Sequence, residues 1–160
     1  LLRGGTGSAS EQEEQPDFLP DKFEAGTLNA IGLAGLGVGV RFVLQTGVET
    51  IRRRDEELTA QLLEGLGAIA DVTVYGTRRA EAQVPTVAFN IAGLSPADVG
   101  IALDDEFGIL CRIGLHCAPA AHRTIGAFPR GAARFGLGYF NTGEEVDAAL
   151  EAVRALARRA

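Results

Sequence analysis

Apolar and polar positions divide the chain into a stretch without period, two helical patterns, and then alternating strand and helix patterns. Residues 1–29 carry Gly4, Gly5, Thr6, Gly7, Ser8 and Ser10, an acidic run from Glu11 to Glu14, and Pro16 and Pro20, so they read as one long loop. A structureless connection of that length is usually functional or belongs to something larger. From Leu28 to Thr46 the pattern is helical but rich in glycine, at Gly32, Gly35, Gly37 and Gly39. The spacing never gives G-x-G-x-x-G and no strand precedes it, which predicts tight packing against another helix or domain, not a dinucleotide site. Ile51, Leu58, Leu62, Leu66 and Ile69 then recur at helical spacing, with the charged run Arg52 to Glu57 on the solvated face.

Val72 to Gly76 and Thr86 to Ile91 are β-rich runs separated by a polar loop, which predicts paired strands. Ser95 and Pro96 open a helix as N-cap and first helical residue, with Val99, Leu103 and Phe107 as its buried stripe. Phe107 to Ile113 alternates like a strand, Ala132 to Gly138 reads as another, and Thr142 to Glu145 is a capping box before a helix that buries Val146, Leu150, Val153 and Leu156. The order from Val72 on, β-β-α-β-β-α, predicts an α+β fold with helices packed on one face of a small, mostly antiparallel sheet. A long connector loop and the glycine-rich helix precede it. The expected organisation is a connector over 1–29, linking helices over 30–70 and a small α+β domain over 71–160.

Composition narrows the partners. With 46% hydrophobic residues the chain can bury a core, and its net charge of −6 argues against nucleic acid or an anionic membrane surface as a partner. Ala30 to Val40 is apolar but stops at Arg41, well short of the roughly 20 residues a membrane span needs. Two cysteines make no disulfide framework, so a reducing, cytoplasmic setting is the default expectation. The chain starts at Leu1 and contains no methionine, which reads as a processed or partial product, and Lys22 is its single lysine.

Both cysteines and both histidines fall between Cys111 and His122, so any soft-nucleophile or proton-transfer chemistry passes through that stretch. The alternation places Cys117 just past a strand end in a glycine-led loop, with Arg112, Arg123 and His116 as candidate cationic neighbours that favour a thiolate. Cys111, inside the strand, reads as an inert packed thiol. The spacings Cys111-x5-Cys117 and His116-x5-His122 lack the short pairing of structural zinc. Gly4 to Ser8 offers backbone N–H groups and hydroxyls suited to a phosphate cradle, with a flexible linker as the alternative.

Three motifs together resemble the class V branch of fold-type I pyridoxal phosphate enzymes, and within it cysteine desulfurase, the branch that includes selenocysteine lyase. Gly4-Gly5-Thr6-Gly7-Ser8 with Phe23-Glu24-Ala25-Gly26-Thr27-Leu28-Asn29 resembles the segment linking the large and small domains. Arg112-Ile113-Gly114-Leu115-His116-Cys117-Ala118 resembles the loop of the sulfur-accepting cysteine, and Ala133 to Thr142 resembles the strand of the carboxylate-binding arginine. The resemblance implies that Cys117 attacks the sulfur of cofactor-bound cysteine, leaving alanine and a Cys117 persulfide for sulfur transfer. It implies Arg134 as the bidentate grip on the substrate carboxylate with Arg112 assisting, and His116 as a residue that tunes the thiol or braces its loop. Gly5, Thr6 and Gly7 would reach the cofactor phosphate of a second subunit, which implies a homodimer.

The family's Schiff-base lysine and the aspartate that partners the pyridine nitrogen lie upstream of the segment matching Leu1, and Lys22 does not match the lysine motif. The chain is therefore expected to be the small C-terminal domain plus connector of such an enzyme. The short span from Arg112 to Arg134 resembles the shorter-loop desulfurases, which implies a dedicated sulfur-acceptor protein. A persulfide carrier without pyridoxal phosphate, and a class V aminotransferase that does not use the cysteine, stand as alternatives.

Overall fold

The computed structural model describes residues 5–160, so Gly4 of the glycine-rich motif lies outside the described residues. The chain forms two compact units, one ending at Gly47 and one comprising Val48–Ala160.

In the first unit the connector is, over its described residues, loop apart from a 3-10 turn at Asp21–Phe23. It is nonetheless organised around the Gln15 amide, which donates to the carbonyls of Thr6, Asp21 and Glu24. Such a polar hub has no periodic signature, so nothing in the hydrophobic pattern announces it. Helix α1 (Ala30–Thr46) is capped by Asn29, whose side chain accepts from Gly32 N–H at 2.9 Å. It buries none of its residues, and Ile31, Leu33, Leu36, Val38 and Leu44 stand exposed. Among the described residues no single helix is long and apolar enough to cross a membrane.

The second unit is the expected α+β layer. After α2 (Val48–Gly67) come β1 (Val72–Tyr75), β2 (Thr86–Ile91), α3 (Pro96–Phe107), β3 (Arg112–Gly114), α4 (Pro119–Thr124), β4 (Ala132–Gly136) and α5 (Gly143–Ala157). The strands lie in the order β1-β2-β4-β3 and every neighbouring pair is antiparallel. Alternation sends Val87, Phe89 and Ile91 of β2, with Ala133 and Phe135 of β4, into a core shared with Leu58, Leu62 and Leu66 of α2, Val99 and Leu103 of α3, and Val146, Leu150 and Val153 of α5. Each fully buried aliphatic side chain there contributes about 1.5–3 kcal/mol. The Phe89 and Phe135 rings meet at 5.0 Å.

Both predicted caps form. Ser95 Oγ accepts from Asp98 N–H at 3.1 Å, and Thr142 Oγ1 accepts from Glu145 N–H while the Glu145 carboxylate accepts from Thr142 N–H at 3.1 Å. The expected strand from Phe107 to Ile113 is displaced. Phe107 ends α3, Gly108 caps it in the left-handed region at φ 65°, and its N–H donates back to Asp104 and Leu103. The strand then starts only at Arg112, which puts Cys111 just before it. The last strand likewise ends at Gly136, two residues earlier than its pattern implies, where Leu137 N–H turns to the Pro85 carbonyl at 2.8 Å.

Candidate active site

Residues directly opposite in an antiparallel pair point to the same face. The register therefore places Tyr75, Ala88, Arg134 and Arg112 in one row across all four strands, on the face away from the helical core. Arg112 and Arg134 are cross-strand partners, and no carboxylate among the described residues lies within salt-bridge distance of either. Like charges placed opposite each other are destabilising and call for an anion. The surroundings sharpen this: between Glu106 and Glu144 the chain has four arginines and no Asp or Glu, within a protein of net charge −6. An anionic ligand would be drawn to this part of the surface.

The Cys117 loop rises from the end of β3. Gly131 packs so closely on the Gly114 backbone that any Cβ there would collide with it, and its φ of 81° also favours glycine. The chain then turns through His116 and Cys117, both in the left-handed region at φ 52° and 59°. Ala118 N–H closes the turn on the Leu115 carbonyl at 2.8 Å, and Pro119 starts α4 as its first residue. Cys117 is exposed, and an Arg112 Nη2–H points at its Sγ from 3.7 Å. Cys111 is half-buried, and burial, then the Asp104 carboxylate, push its thiol above the usual range.

Thus Arg112, Arg134, His116 and Cys117 come together in one unit. The His116 ring lies 5.4 Å from that of His122, and neither of its nitrogens has a hydrogen-bond partner. Burial first, then the Arg134 guanidinium and His122, hold His116 below the ordinary imidazole range, with the Ala132 backbone pulling partly the other way. The shift disfavours the cationic form of His116 that would favour a thiolate beside it. Arg123 stacks instead on the Phe128 ring, 4.4 Å from its centroid. His122, weighed from the sequence only as half of a histidine spacing unlike that of structural zinc, is buried on α4.

The shift of His116 has a consequence for stability. The unfolded chain protonates this imidazole near its ordinary value of 6.5 while the folded chain resists, so stability is fully present above 6.5 and is lost as pH falls from there through the lower folded value. We expect the denaturant midpoint to drop between about pH 7.5 and about pH 5.5, and His116→Phe to narrow the drop. An equal drop in parent and variant would contradict the assignment.

Gly5, Thr6 and Gly7 belong to the first unit, where they line a cleft of about 960 Å³. The N–H groups of Thr6 and Gly7 find no acceptor among the described residues, which suits a phosphate oxygen. The Thr6 hydroxyl, however, is buried and donates to the Ala9 carbonyl, and Glu13, Asp21 and Glu24 line the same cleft. The fit to a phosphorylated cofactor is thus limited to two backbone donors. Lys22 does not fit an aldehyde anchor, being exposed and paired with Asp17 at 3.6 Å.

Residues 1–149 match the family described as aminotransferase class-V. A probable cysteine desulfurase of Synechocystis sp. is 38% identical over 141 residues, covering 88% of this chain and 33% of that protein. Another, from Methanothermobacter thermautotrophicus, is 33% identical over 148 residues, covering 91% and 36%. Among solved structures, the apo cysteine desulfurase of Thermococcus onnurineus NA1 superposes on the whole chain and 39% of its own length, with a TM-score of 0.84 at 33% identity. The cysteine desulfurase CsdA of Escherichia coli does so over 97% of this chain and 38% of its own, with a TM-score of 0.78 at 27% identity. The chain spans little more than a third of the length of these proteins.

Proposed function

We propose, on the premise that this chain belongs to the aminotransferase class-V family, that it is the C-terminal part of a pyridoxal phosphate-dependent cysteine desulfurase. The observation that carries this is an exposed thiol set 3.7 Å from one of two unpaired, cross-strand guanidiniums. Such a pair offers a grip for the carboxylate of a cysteine substrate, and such a thiol a nucleophile for its sulfur.

Arg134, with Arg112 beside it, holds the substrate carboxylate in a fork. Cys117 as thiolate attacks the sulfur of the substrate L-cysteine: the sulfur–sulfur bond forms, the substrate's carbon–sulfur bond breaks, and its electron pair stays with the carbon side, which a proton then completes as alanine. When bound, pyridoxal phosphate supplies the sink for that electron pair. His116, held neutral, offers a ring-nitrogen lone pair to a thiol proton. The loop of Cys117 is tied by β3 at one end and by α4 and β4 at the other, so it keeps the persulfide near where it forms, and a docked sulfur-acceptor protein collects it. The remaining two-thirds of the enzyme would cover the apolar side chains of α1, and Thr6 and Gly7 would meet the cofactor phosphate of a second copy.

The test is product analysis of the full-length protein supplied with L-cysteine. We expect alanine in amounts matching the sulfur released, and the peptide containing Cys117 one sulfur atom heavier when no acceptor is present. Amino-group transfer without sulfur on Cys117 would favour instead an aminotransferase that leaves the thiol unused.

A further inference from the structure

His122 has no role in the chemistry above, yet it is the most buried polar side chain around Cys117. It is only 4% exposed and its Nδ1 meets no hydrogen-bond partner. Leaving such a nitrogen unpaired costs about 1–3 kcal/mol, so an apolar residue would fill the space more stably if packing were the only requirement. What the ring touches is His116, at 5.4 Å between centroids and 42° between planes.

His116 and Cys117 need that support. Their left-handed backbone costs about 1–2 kcal/mol per non-glycine residue and persists only where the surroundings over-determine it. His122 supplies much of that surrounding structure. Its N–H donates to the Ala118 carbonyl at 3.1 Å, and its own carbonyl accepts from Ala127 N–H at 2.8 Å and Phe128 N–H at 3.1 Å. The main chain of His122 thus ties the loop down on both sides while its ring closes on His116.

We propose that His122 is a positioning residue: its buried ring braces His116 and so maintains the left-handed turn that sets the Cys117 sulfur against Arg112. Only the activity readout below rests on the desulfurase reading. The choice of histidine over phenylalanine has its own consequence. The groups facing His116 are Arg134 on β4, Arg112 on β3 and His122 on α4, so replacing His122 by an apolar ring removes one of the influences that keep His116 neutral.

The experiment compares His122→Ala and His122→Phe in the full-length protein. Hydrogen exchange across Leu115 to Ala121 should speed up about tenfold in His122→Ala while β4 stays protected, because the turn keeps its backbone bonds but loses the ring that packs on His116 and so opens more readily. Turnover of cysteine should fall by roughly 10–100-fold with KM within about threefold, as expected for a misplaced nucleophile beside intact arginines. His122→Phe should restore both, but with the acid limb of the pH–rate profile moved to higher pH. Unchanged exchange in His122→Ala overturns the proposal whatever the activity does, and so does a folded His122→Phe that fails to recover the protection. If the protein releases no sulfur from cysteine while exchange behaves as stated, the desulfurase reading fails and the positioning role stands.

Discussion

In the full-length protein, Cys117→Ala should lower sulfur release from cysteine by about 10³-fold or more while the affinity for cysteine stays within about threefold. The reason is a division of labour visible in the fold. The guanidiniums that would hold the substrate carboxylate sit on paired strands, whereas the thiol sits on a loop and meets Arg112 at 3.7 Å. Removing the sulfur therefore deletes the nucleophile and leaves the binding site standing. Cys111→Ala is the matched control and should stay within about twofold, because a half-buried thiol pushed above the usual range is a poor nucleophile at neutral pH. Loss of sulfur release with Cys111→Ala but not with Cys117→Ala would reverse the assignment.

Arg134→Leu should raise KM for cysteine roughly a hundredfold, equivalent to about 3 kcal/mol, without lowering the melting temperature. The two halves of this expectation have separate causes. A carboxylate bound by a guanidinium fork loses two charge-assisted hydrogen bonds when the fork is removed. Folding, by contrast, loses no ion pair among the described residues and is relieved of the like-charge opposition between Arg112 and Arg134. Arg134→Lys should recover only part of the binding, since an ammonium cannot reproduce the planar fork. A substrate analogue lacking the carboxylate should be nearly indifferent to both variants. A KM unchanged in Arg134→Leu would remove Arg134 from the substrate site, and a large fall in melting temperature would assign it to the fold.

Much of the second unit was legible because its signals are local. Ser95 and Thr142 announce helix starts through hydroxyls that bond within the next three residues, and the alternation of Val87, Phe89 and Ile91 states which side of β2 meets the core. Local signals failed where two readings share a pattern. Phe107 satisfies both the last turn of α3 and the first position of an alternating strand, and the choice was settled by Gly108 adopting a left-handed cap. The first unit was harder, since its organiser is the Gln15 amide reaching three carbonyls, and side-chain-to-backbone bonds of that kind leave no period to read.

By itself the sequence determined the α+β layer, the starts of α3 and α5, the identity of the exposed loop cysteine and the presence of Arg112 and Arg134 on strands, all properties carried by neighbours a few residues apart. Only the tertiary structure decided that those two arginines face each other, that Cys117 lies against Arg112 and that His122 is buried on His116. Strand register depends on pairing between residues distant in the chain, where a slip of one residue sends every side chain to the other face. The left-handed turn at His116 and Cys117 is likewise not written in the local sequence, because that backbone is uncommon for any residue but glycine and two successive such residues form it beside the bonds that Ala118 makes to Leu115 and His122.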